Sequence, residues 1–415
     1  MKFTNTLYTN DNLFILNGLN SNLVDLIYLD PPFNSKRFYS APIGSKAAGS
    51  SFKDMWTWQD VNEEFLNTLA EKYIALTDYI DSVGIIHSKA MAAYLTYMAQ
   101  RIVELHRILK DTGSIYLHCD PTASHYLKVV LDEIFGKNNF RNEIVWHYTG
   151  NSVPKNSFPR KHDIIFIYSK NQNFLFKPQE VLIPYSPLTE KRYNHKDDKG
   201  NRYKISALRD GKQEIIYMKE GKYPDDVWDI PIVRGKEATG YPTQKPLLLL
   251  RRIIKASSNE GDIVLDPFCG CATTCVAAQQ LGRKWIGIDI EEQARNLLIE
   301  RLSEDAGIFS DFVSTDIPPK RTDIIEIDPS DAPVKERLYK EQNCLCNGCG
   351  IQFEIWNLQV DHIIPRAKGG GNYYENYQLL CANCNQMKAT NTMESLRLKI
   401  ATRKKLMENK VFFGR

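Results

Sequence analysis

Hydrophobic residues recur along most of the chain in runs whose lengths and spacings predict alternating strands and helices. Residues 22–29 form a short apolar run that predicts a buried strand. The strand must end at Asp30-Pro31-Pro32-Phe33, because proline lacks an amide hydrogen and fixes φ. Apolar residues then recur at helical spacing from about 61 to 110, and a strand at 114–118 and a helix at 126–135 follow. This alternation favours a parallel α/β sheet.

The alternation stops between residues 146 and 236, which are polar, aromatic and rich in turns, with one core-like strand at 163–168. It resumes with a helix, a strand, a helix and a strand at 246–257, 262–265, 273–281 and 284–288. Residues 35–52 are rich in Gly, Ser and Ala and predict a mobile loop. Four prolines between 318 and 333 predict a linker before a C-terminal part with its own cysteines. The predicted segments are 1–145, 146–236, 237–305, 306–337 and 338–415.

The total charge conceals two basic segments. The 415 residues carry 53 Lys and Arg against 50 Asp and Glu, a net charge of +3. Residues 150–236 hold 17 basic and 11 acidic side chains, and residues 331–415 hold 13 and 8. Two basic segments beside an acidic body predict a polyanionic partner that is contacted in two places, although solvated faces without a partner give the same pattern.

Length and composition restrict the class of protein. With 43% hydrophobic residues the chain predicts two or three globular domains, and no apolar stretch is long enough to span a membrane. The N-terminal residues lack a basic-then-apolar signal pattern, so we expect a cytoplasmic protein. Nine cysteines in a reducing compartment favour metal ligands or buried thiols over disulfides.

Residues 262–289 read as strand, tight loop, helix and strand, which is the pattern of a cofactor-binding unit. The loop from Asp266 to Ala272 would lie at a helix N-terminus, and Asp289 stands where an acid commonly binds a ribose diol. Gly270 is the loop's one glycine, whereas a dinucleotide site needs three. The sequence therefore predicts a nucleoside cofactor without phosphates, with a structural βαβ turn as the alternative. Cys269, Cys271 and Cys275 are predicted to be small packing residues.

Asp30-Pro31-Pro32-Phe33 has the groups needed to methylate an exocyclic amine. The nitrogen lone pair of such an amine is delocalised into its ring. The Asp30 carboxylate and the Pro31 carbonyl, held rigid by the prolines, could accept the two amino hydrogens and direct the lone pair at a methyl donor. Phe33 could stack on a base that has left the double helix. No Pro-Cys loop of the kind that C5-cytosine methylases use is present.

The motif order resembles the β-class of amino-directed DNA methyltransferases. Asp30-Pro31-Pro32-Phe33 comes first, then a variable basic segment, Thr243-Gln244-Lys245-Pro246, and the loop from Asp266 to Thr274. The resemblance covers about residues 6–305 and implies a Rossmann-like S-adenosylmethionine-dependent fold. It implies a catalytic half at 1–145, a target-recognition region at 146–236 and a cofactor-binding half at 237–305.

The same resemblance assigns roles to individual residues. It implies that Asp266, Phe268 and Gly270 contact S-adenosylmethionine, that Asp289 holds its ribose and that Asp11 meets its adenine. Thr243, Lys245 and Pro246 would flank its amino-acid end. The family usually has glycine where Asn10 and Ala272 stand. Asp rather than Ser at position 30 favours adenine N6 over cytosine N4, and RNA is a further alternative substrate. The candidate DNA contacts in the recognition region are Lys155, Arg160, Lys161, Lys191, Arg192, Arg202, Lys204 and Arg209, interleaved with Tyr193 and Tyr203.

The C-terminal part has the spacing of a zinc site. Cys346 and Cys349 form one Cys-x-x-Cys knuckle and Cys381 and Cys384 another, with Cys344 as a fifth thiol nearby. Two such knuckles complete a tetrahedral site, which predicts structural Zn²⁺.

Between and after the knuckles, Asp361-His362, Asn376 and Asn385 resemble an HNH endonuclease with a ββα-metal fold over about residues 338–392. The resemblance implies that His362 is the general base and that Asn376 fixes the loop that orients it. It further implies that Asp361 and Asn385 hold Mg²⁺ or a similar divalent ion. The alternative is a zinc-stabilised DNA-binding module without nuclease activity.

Together these motifs predict a bacterial or phage-encoded, site-specific adenine-N6 methyltransferase of double-stranded DNA, joined to a metal-dependent nuclease. Such a chain could be a single-chain restriction-modification enzyme and could form a homodimer. An N4-cytosine methyltransferase whose zinc-bearing part only binds DNA is the alternative, and a non-catalytic DNA-binding factor is a third.

Overall fold

The structure is a computed structural model, and it describes residues 4–34, 37–42, 44–61, 73–150, 154–207, 212–306, 312–324, 326–368 and 370–412. The main sheet has nine strands in the order β11-β6-β7-β5-β2-β12-β13-β1-β14. Its strands are β1 (Thr6–Thr9), β2 (Val24–Leu29), β5 (Leu109–Cys119), β6 (Phe140–His147), β7 (His162–Ser169), β11 (Val227–Asp229), β12 (Ile263–Asp266), β13 (Lys284–Asp289) and β14 (Val313–Thr315).

The sheet is mixed, so the predicted parallel sheet is right for most of its strands and wrong for one. Strand β7 pairs antiparallel with both β5 and β6, whereas the other neighbouring pairs in this sheet are parallel. Strand β7 is the core-like strand predicted at 163–168, and its residues 164–169 are buried. A fully buried strand reads as the same apolar run in either direction, so the pattern could not show its polarity.

Helices cover the sheet because their apolar faces need burial. Helix α3 starts at the Ser88 N-cap, whose side chain accepts from the amide of Met91, and thirteen of its residues are buried. The helices are α1 (Asn12–Gly18), α2 (Ile74–Ile86), α3 (Lys89–Ile108), α4 (Ser124–Leu131), α5 (Pro187–Arg192), α6 (Leu247–Ser257), α7 (Thr273–Gln280), α8 (Glu292–Ala306), α9 (Ala332–Glu341), α10 (Ala382–Lys388) and α11 (Met393–Phe412). The α/β architecture predicted from the sequence is confirmed.

Two segments predicted to be irregular contain strands. Within residues 35–52, predicted as a mobile loop, β3 (Arg37–Ser40) pairs antiparallel with β4 (Ser51–Asp54). Within the predicted linker 306–337, β14 adds a strand at the edge of the main sheet beside β1. All three strands are four residues or shorter, which is too short for an alternating pattern to be read from sequence.

Part of the predicted recognition region 146–236 belongs to the main sheet, and the rest lies outside it. Strands β7 and β11 lie within its bounds and belong to the main sheet. The rest includes α5 and a separate antiparallel sheet of β8 (His195–Lys196), β9 (Arg202–Ala207) and β10 (Gln213–Tyr217).

The C-terminal part is a small unit with its own core. Strand β15 (Leu358–His362) pairs antiparallel with β16 (Tyr377–Cys381), and α10 follows directly. Helix α9 contributes Val334 and Leu338 to the same core as Cys346 and Leu379, so this unit begins before the predicted boundary at 338. Among the described residues, no helix is long and apolar enough to cross a membrane.

Candidate functional site

A cavity of about 600 Å³ opens at the carboxyl ends of the parallel strands. In open α/β sheets this edge is where ligands bind, because loops there follow several neighbouring strands. The cavity is lined by most of the residues predicted for the N-terminal site, namely Asp11, Asp30, Pro31, Pro32, Phe33, Thr243, Lys245, Asp266, Phe268, Gly270 and Asp289. Pro246 is not among the lining residues. It is the N-cap of α6.

Asp30 follows β2 directly and forms a buried ion pair. Its Oδ2 lies 2.6 Å from Nζ of Lys245, whose side chain is 8% exposed. Its Oδ1 is buried and has no hydrogen-bond partner among the described residues. Lys245, which the resemblance places beside a cofactor's amino-acid end, lines the cavity and contacts the carboxylate of the Asp-Pro-Pro-Phe motif. Sequence spacing could not show this, because 214 residues separate the two side chains.

Asp289 and Gly270 join two loops of the cavity. The backbone amide of Gly270 donates to Oδ2 of Asp289 at 2.7 Å, and the amide of Glu291 donates to Oδ1 at 2.9 Å. Burial raises the pKa of Asp289 to about 6, although these backbone hydrogen bonds oppose the shift. Gly270 has φ +50°, and a Cβ there would lie 3.0 Å from the ring of Tyr241. Glycine is therefore required both by the backbone conformation and by the close approach of Tyr241.

Asp266 stabilises the loop that follows β12. Its Oδ1 accepts from the amide of Phe268 at 3.0 Å, and burial raises its pKa to about 7. Ala272, at the N-cap of α7, has φ +57° and ψ +31°, a left-handed conformation that glycine adopts more readily. This explains why the family resembled here usually has glycine at this position. The predicted packing role of Cys269, Cys271 and Cys275 agrees with their burial.

A buried arginine, not predicted from the sequence, organises the opposite wall. Arg101 on α3 is 2% exposed, and its Nε donates to Oδ1 of Asn12 at 2.6 Å. Asn12 in turn donates to the carbonyl of Pro267 in the cofactor loop at 2.8 Å. The Nη2 of Arg101 lies 3.1 Å from Oδ1 of Asp11, which also caps α1 by accepting from the amide of Leu13. A charged residue within an otherwise apolar helical stretch is the signal that could have identified Arg101.

The four predicted cysteines come together in the C-terminal unit. The sulfur atoms of Cys346, Cys349, Cys381 and Cys384 all lie within 4.8 Å of one another. The fifth thiol, Cys344, is not a member of this group. Four converging thiols form the donor set of a structural zinc site.

His362 is the last residue of β15, and Asn376 directly precedes β16. The Asn376 side chain accepts from the amide of Ile364 and donates to the carbonyls of Ile364 and Gly371, so it ties both sides of this loop together. His362 has Nε2 2.8 Å from Oδ1 of Asn372, a partner that was not predicted. Because an amide oxygen only accepts, Nε2 carries the hydrogen in this pair.

Asp361 and Asn385 are oriented by neighbouring side chains. Asp361 Oδ2 lies 3.1 Å from Nζ of Lys388, which is fully buried, and accepts from Gln378 at 2.8 Å. Asn385 donates to Oε1 of Gln359 at 2.7 Å. Gln359 and Asp361 are two residues apart on β15 and share one face, so Asn385 and Lys388 of α10 both face the side of the strand that carries Asp361.

The predicted DNA contacts differ in exposure. Lys155, Arg160, Lys191 and Arg192 are exposed. The Arg202 guanidinium instead donates to the carbonyls of Tyr193 and Glu190 at the end of α5, so it has a structural role. Lys204 lies 5.3 Å from the ring centre of Tyr193. Arg209 lies outside the described residues.

The two units meet beside the cavity. The side chains of Asn17 on α1 and Tyr373 are hydrogen-bonded to each other at 3.1–3.2 Å. Thr392, just before α11, lines the same cavity as Asp30. The C-terminal unit thus contributes to the wall of the N-terminal site.

Several known proteins are similar in sequence. The type II methyltransferase M.EcaI of Enterobacter cloacae is 30% identical over 277 residues, which cover 54% of this chain and 61% of that protein. The DNA adenine methyltransferase YhdJ of Escherichia coli (strain K12) is 29% identical over 256 residues, covering 59% of this chain and 81% of that one. The solved PvuII DNA methyltransferase (cytosine-N4-specific) is 14% identical, with a TM-score of 0.44, and the alignment covers 74% of this chain and 87% of that one.

Family models match most of the chain. The DNA methylase model covers residues 24–300, and the HNH endonuclease model covers residues 346–391. The chain spans about six tenths of the length of the first curated relatives it matches. The resemblance inferred from the motif order is confirmed: the chain belongs to the N6/N4 DNA methylase family and carries an HNH endonuclease domain in its C-terminal part.

Proposed function

We propose that this protein transfers a methyl group from S-adenosylmethionine to N6 of adenine in double-stranded DNA, and that its HNH unit cuts DNA with a divalent ion. The observation that carries the first half is the convergence of Asp30 and Phe33 with Asp289 and Gly270 around one cavity. A methyl acceptor and a nucleoside cofactor could therefore meet there.

The lining of the cavity fits a cationic nucleoside. Asp11 and Asp289 supply acceptors for hydroxyl and amino groups, and the rings of Phe268 and Tyr241 supply apolar surfaces. When bound, S-adenosylmethionine supplies an electrophilic sulfonium methyl group. The Asp289 carboxylate is the group that would hold the ribose hydroxyls, as acids after the second strand of such units do.

The Asp-Pro-Pro-Phe motif would hold the target base. Asp30 and the Pro31 carbonyl accept the two amino hydrogens, which leaves the nitrogen lone pair directed into the cavity, while Phe33 stacks on the extruded base. Asp at position 30, rather than Ser, supports adenine as the base. The similarity to a DNA adenine methyltransferase supports the same choice.

Methyl transfer is tested with tritium-labelled S-adenosylmethionine and duplex DNA, followed by separation of the modified nucleosides. The wild-type protein is expected to yield N6-methyladenine, and Asp30→Ala to yield none. Asp78→Ala, an exposed carboxylate on α2, is the matched control and should be fully active. N4-methylcytosine as the product would establish the alternative base, and label in RNA alone would exclude DNA as the substrate.

Recognition of DNA is proposed for the exposed basic side chains of the region outside the main sheet. Lys191 and Arg192 lie in the last turn of α5, where they are accessible to a phosphate backbone. Replacing both with Ala should weaken DNA binding and reduce the slope of log K against log salt by about one unit per lost phosphate contact. Lys284→Ala, exposed at the start of β13, should leave the slope unchanged.

The nuclease proposal rests on the arrangement around β15. Asn372 accepts from Nε2 of His362, whose Nδ1 would act as the general base, and Asp361 and Asn385 could together hold Mg²⁺ or a similar ion through their oxygens. Such an ion would stabilise the leaving oxygen of a phosphodiester. The four cysteines would hold Zn²⁺ and so stabilise a unit with a small core.

Cleavage is measured on unmethylated and premethylated DNA with added Mg²⁺. We expect cutting that premethylation blocks and that Asp361→Ala or His362→Ala abolishes, while both variants still methylate. Asp331→Ala, an exposed carboxylate just before α9, is the control. If the wild type binds DNA through this unit without cutting, the unit is a DNA-binding module. The proposed homodimer is tested by sedimentation of the full chain.

A further inference from the structure

His118 on β5 is a fully buried histidine between two carboxylates. Its Nε2 lies 3.2 Å from Oδ2 of Asp163 on β7. Its Nδ1 lies 2.9 Å from the hydroxyl of Tyr28 and 3.8 Å from Oδ1 of Asp30. Buried histidines usually satisfy their nitrogens with neutral partners, so a position between two acids calls for an explanation.

Asp163 is held as a carboxylate. Burial alone would raise its pKa, but hydrogen bonds from His118 and Tyr148 and the positive charge of Lys245 outweigh that effect and lower the pKa. The hydroxyl of Tyr148 donates to Oδ1 of Asp163 at 3.1 Å. Because a carboxylate only accepts, Nε2 of His118 carries the hydrogen in this pair, and Nδ1, on the opposite side of the ring, accepts from the hydroxyl of Tyr28 at 2.9 Å.

Nδ1 of His118 lies on the side of the ring that faces the buried oxygen of Asp30. Among the described residues, Oδ1 of Asp30 has no hydrogen-bond partner, and Nδ1 of His118 is about one ångström beyond hydrogen-bond distance from it. The ring of Phe33 lies beside the imidazole, with 5.7 Å between the ring centres. A small movement of the Asp30 carboxyl would bring the two groups into contact beneath the position proposed for the target base.

Methylation of an amine releases a proton that has to leave a buried site. As the nitrogen–carbon bond forms and the sulfur–carbon bond breaks, the nitrogen becomes cationic and must lose one of its two hydrogens. The nearest base is Asp30, whose other oxygen is already paired with Lys245. A carboxyl group that kept this proton could not accept from the next amine.

We propose that His118 receives this proton from Asp30 and that Asp163 stabilises the resulting imidazolium. The inference rests on the proposed methyltransferase function and adds two positioning residues, His118 and Asp163, that act through Asp30. The amine N–H bond breaks and an Asp30 Oδ1–H bond forms. That O–H bond then breaks and a His118 Nδ1–H bond forms, while the Tyr28 hydroxyl turns its hydrogen away from Nδ1. Asp163 remains a carboxylate throughout, and the proton passes to solvent when the product leaves.

The charged and titratable groups that face His118 come from several elements. Tyr28 and Asp30 come from β2 and its following loop, and Asp163 comes from β7. Lys245 and Tyr148 act on it through Asp30 and Asp163. A substitution at position 118 leaves these partners in place. The difference between the pH profiles of the wild type and the variant therefore reports the contribution of His118.

The experiment measures the single-turnover rate constant of methyl transfer against pH for the full-length wild type, His118→Asn and Asp163→Asn. Dissociation constants for S-adenosylmethionine and DNA are measured in parallel. Both variants are expected to lose about 10²-fold or more in rate, as for a removed general base, with little change in either dissociation constant. The wild-type rate should fall as the pH is lowered, and this fall should be absent in His118→Asn.

His125→Asn is the matched control, because His125 is exposed on the neighbouring helix α4. If His118→Asn and Asp163→Asn do not fold, the role of His118 is tested with Tyr148→Phe, which keeps the ring and removes the hydrogen bond to Asp163. This variant should change the rate constant of methyl transfer and shift the pH at which that rate falls on the acid side of the profile. Wild-type rates and pH profiles in the folded variants would overturn the inference while the enzyme still methylates. Absence of methyl transfer by the wild type would instead overturn the proposed function.

Discussion

Lys245 Nζ and Asp30 Oδ2 are 2.6 Å apart in a cavity wall where both side chains are largely buried. A carboxylate in such a place is costly unless a cation accompanies it. Lys245 also donates to the carbonyl of Thr243 at 3.1 Å, so it fixes the Thr-Gln-Lys-Pro segment and the Asp-Pro-Pro-Phe motif relative to each other.

Lys245→Gln should therefore lower methyl transfer by about 10-fold to 100-fold, because Asp30 loses both its counter-charge and its fixed orientation. Single-turnover transfer of labelled methyl groups measures the effect. Lys236→Gln, an exposed lysine nine residues earlier, should be indistinguishable from wild type. Equal rates in the two variants would show that the ion pair has no part in the reaction.

Asp266 should make stability depend on pH near neutrality. Its pKa is raised to about 7, so the folded protein retains a proton there at pH values where the unfolded chain has lost it. Stability is therefore lost as the pH rises from about 4, where the unfolded carboxyl ionises, to about 7, and the penalty is complete above about pH 7. Asp266→Asn should be more stable than wild type at about pH 8, and the difference should shrink as the pH falls below about 7 and vanish towards pH 4.

Urea unfolding at a series of pH values measures that difference. Asp78→Asn on α2 serves as the exposed control, for which the difference from wild type should not depend on pH. A pH-independent difference for Asp266→Asn would show that its carboxyl titrates as an ordinary one.

Removal of zinc should destabilise the C-terminal unit selectively. Cys381→Ser takes one ligand from the four-sulfur group and should abolish binding of one equivalent of zinc, whereas Cys344→Ser should retain it. Metal content is measured by mass spectrometry, and unfolding of the unit by limited proteolysis. We expect the Cys381→Ser protein to be cleaved within residues 338–412 while the methylase part stays intact. Zinc retained by Cys381→Ser would exclude the proposed ligand set.

The left-handed conformation of Ala272 should be measurable as strain. Ala272→Gly is expected to raise the free energy of unfolding by about 0.5–1 kcal/mol, because glycine adopts φ +57° without the steric cost of a Cβ. The paired control, Ala278→Gly within α7, should lower the free energy of unfolding by about 1 kcal/mol. Urea unfolding compares the two, and equal losses for both would show that position 272 carries no strain.

The sequence predicted groups that lie close together along the chain better than pairings between distant segments. The loop from Asp266 to Gly270 and the two cysteine knuckles are local patterns, and each corresponds to a compact feature of the structure. The partner of Lys245 depends on how β2 and the segment before α6 meet, which no local spacing encodes. The direction of β7 was likewise hidden, because a doubly buried strand has no polar face from which to read its neighbours.

Single polar residues inside apolar stretches marked the site, although the prediction of helices and strands from the hydrophobic pattern did not use them. Arg101 interrupts the buried face of α3, and His118 interrupts the apolar run of β5. Both proved to be hydrogen-bonded residues behind the cavity rather than surface positions. A polar side chain within a predicted core element is therefore a useful marker of a site in this chain, even where no motif includes it.

Strand β14 and the hydrogen bonds between Asn17 and Tyr373 secure the HNH unit to the edge of the methylase sheet. The sites proposed for the two activities are therefore connected by backbone and side-chain hydrogen bonds as well as by the chain itself. In the proposed function, a base held over Phe33 and a phosphodiester bound at His362 would lie at a separation that depends on this attachment. The attachment between the two units would then set the distance along the DNA between the methylated base and the cleaved phosphodiester.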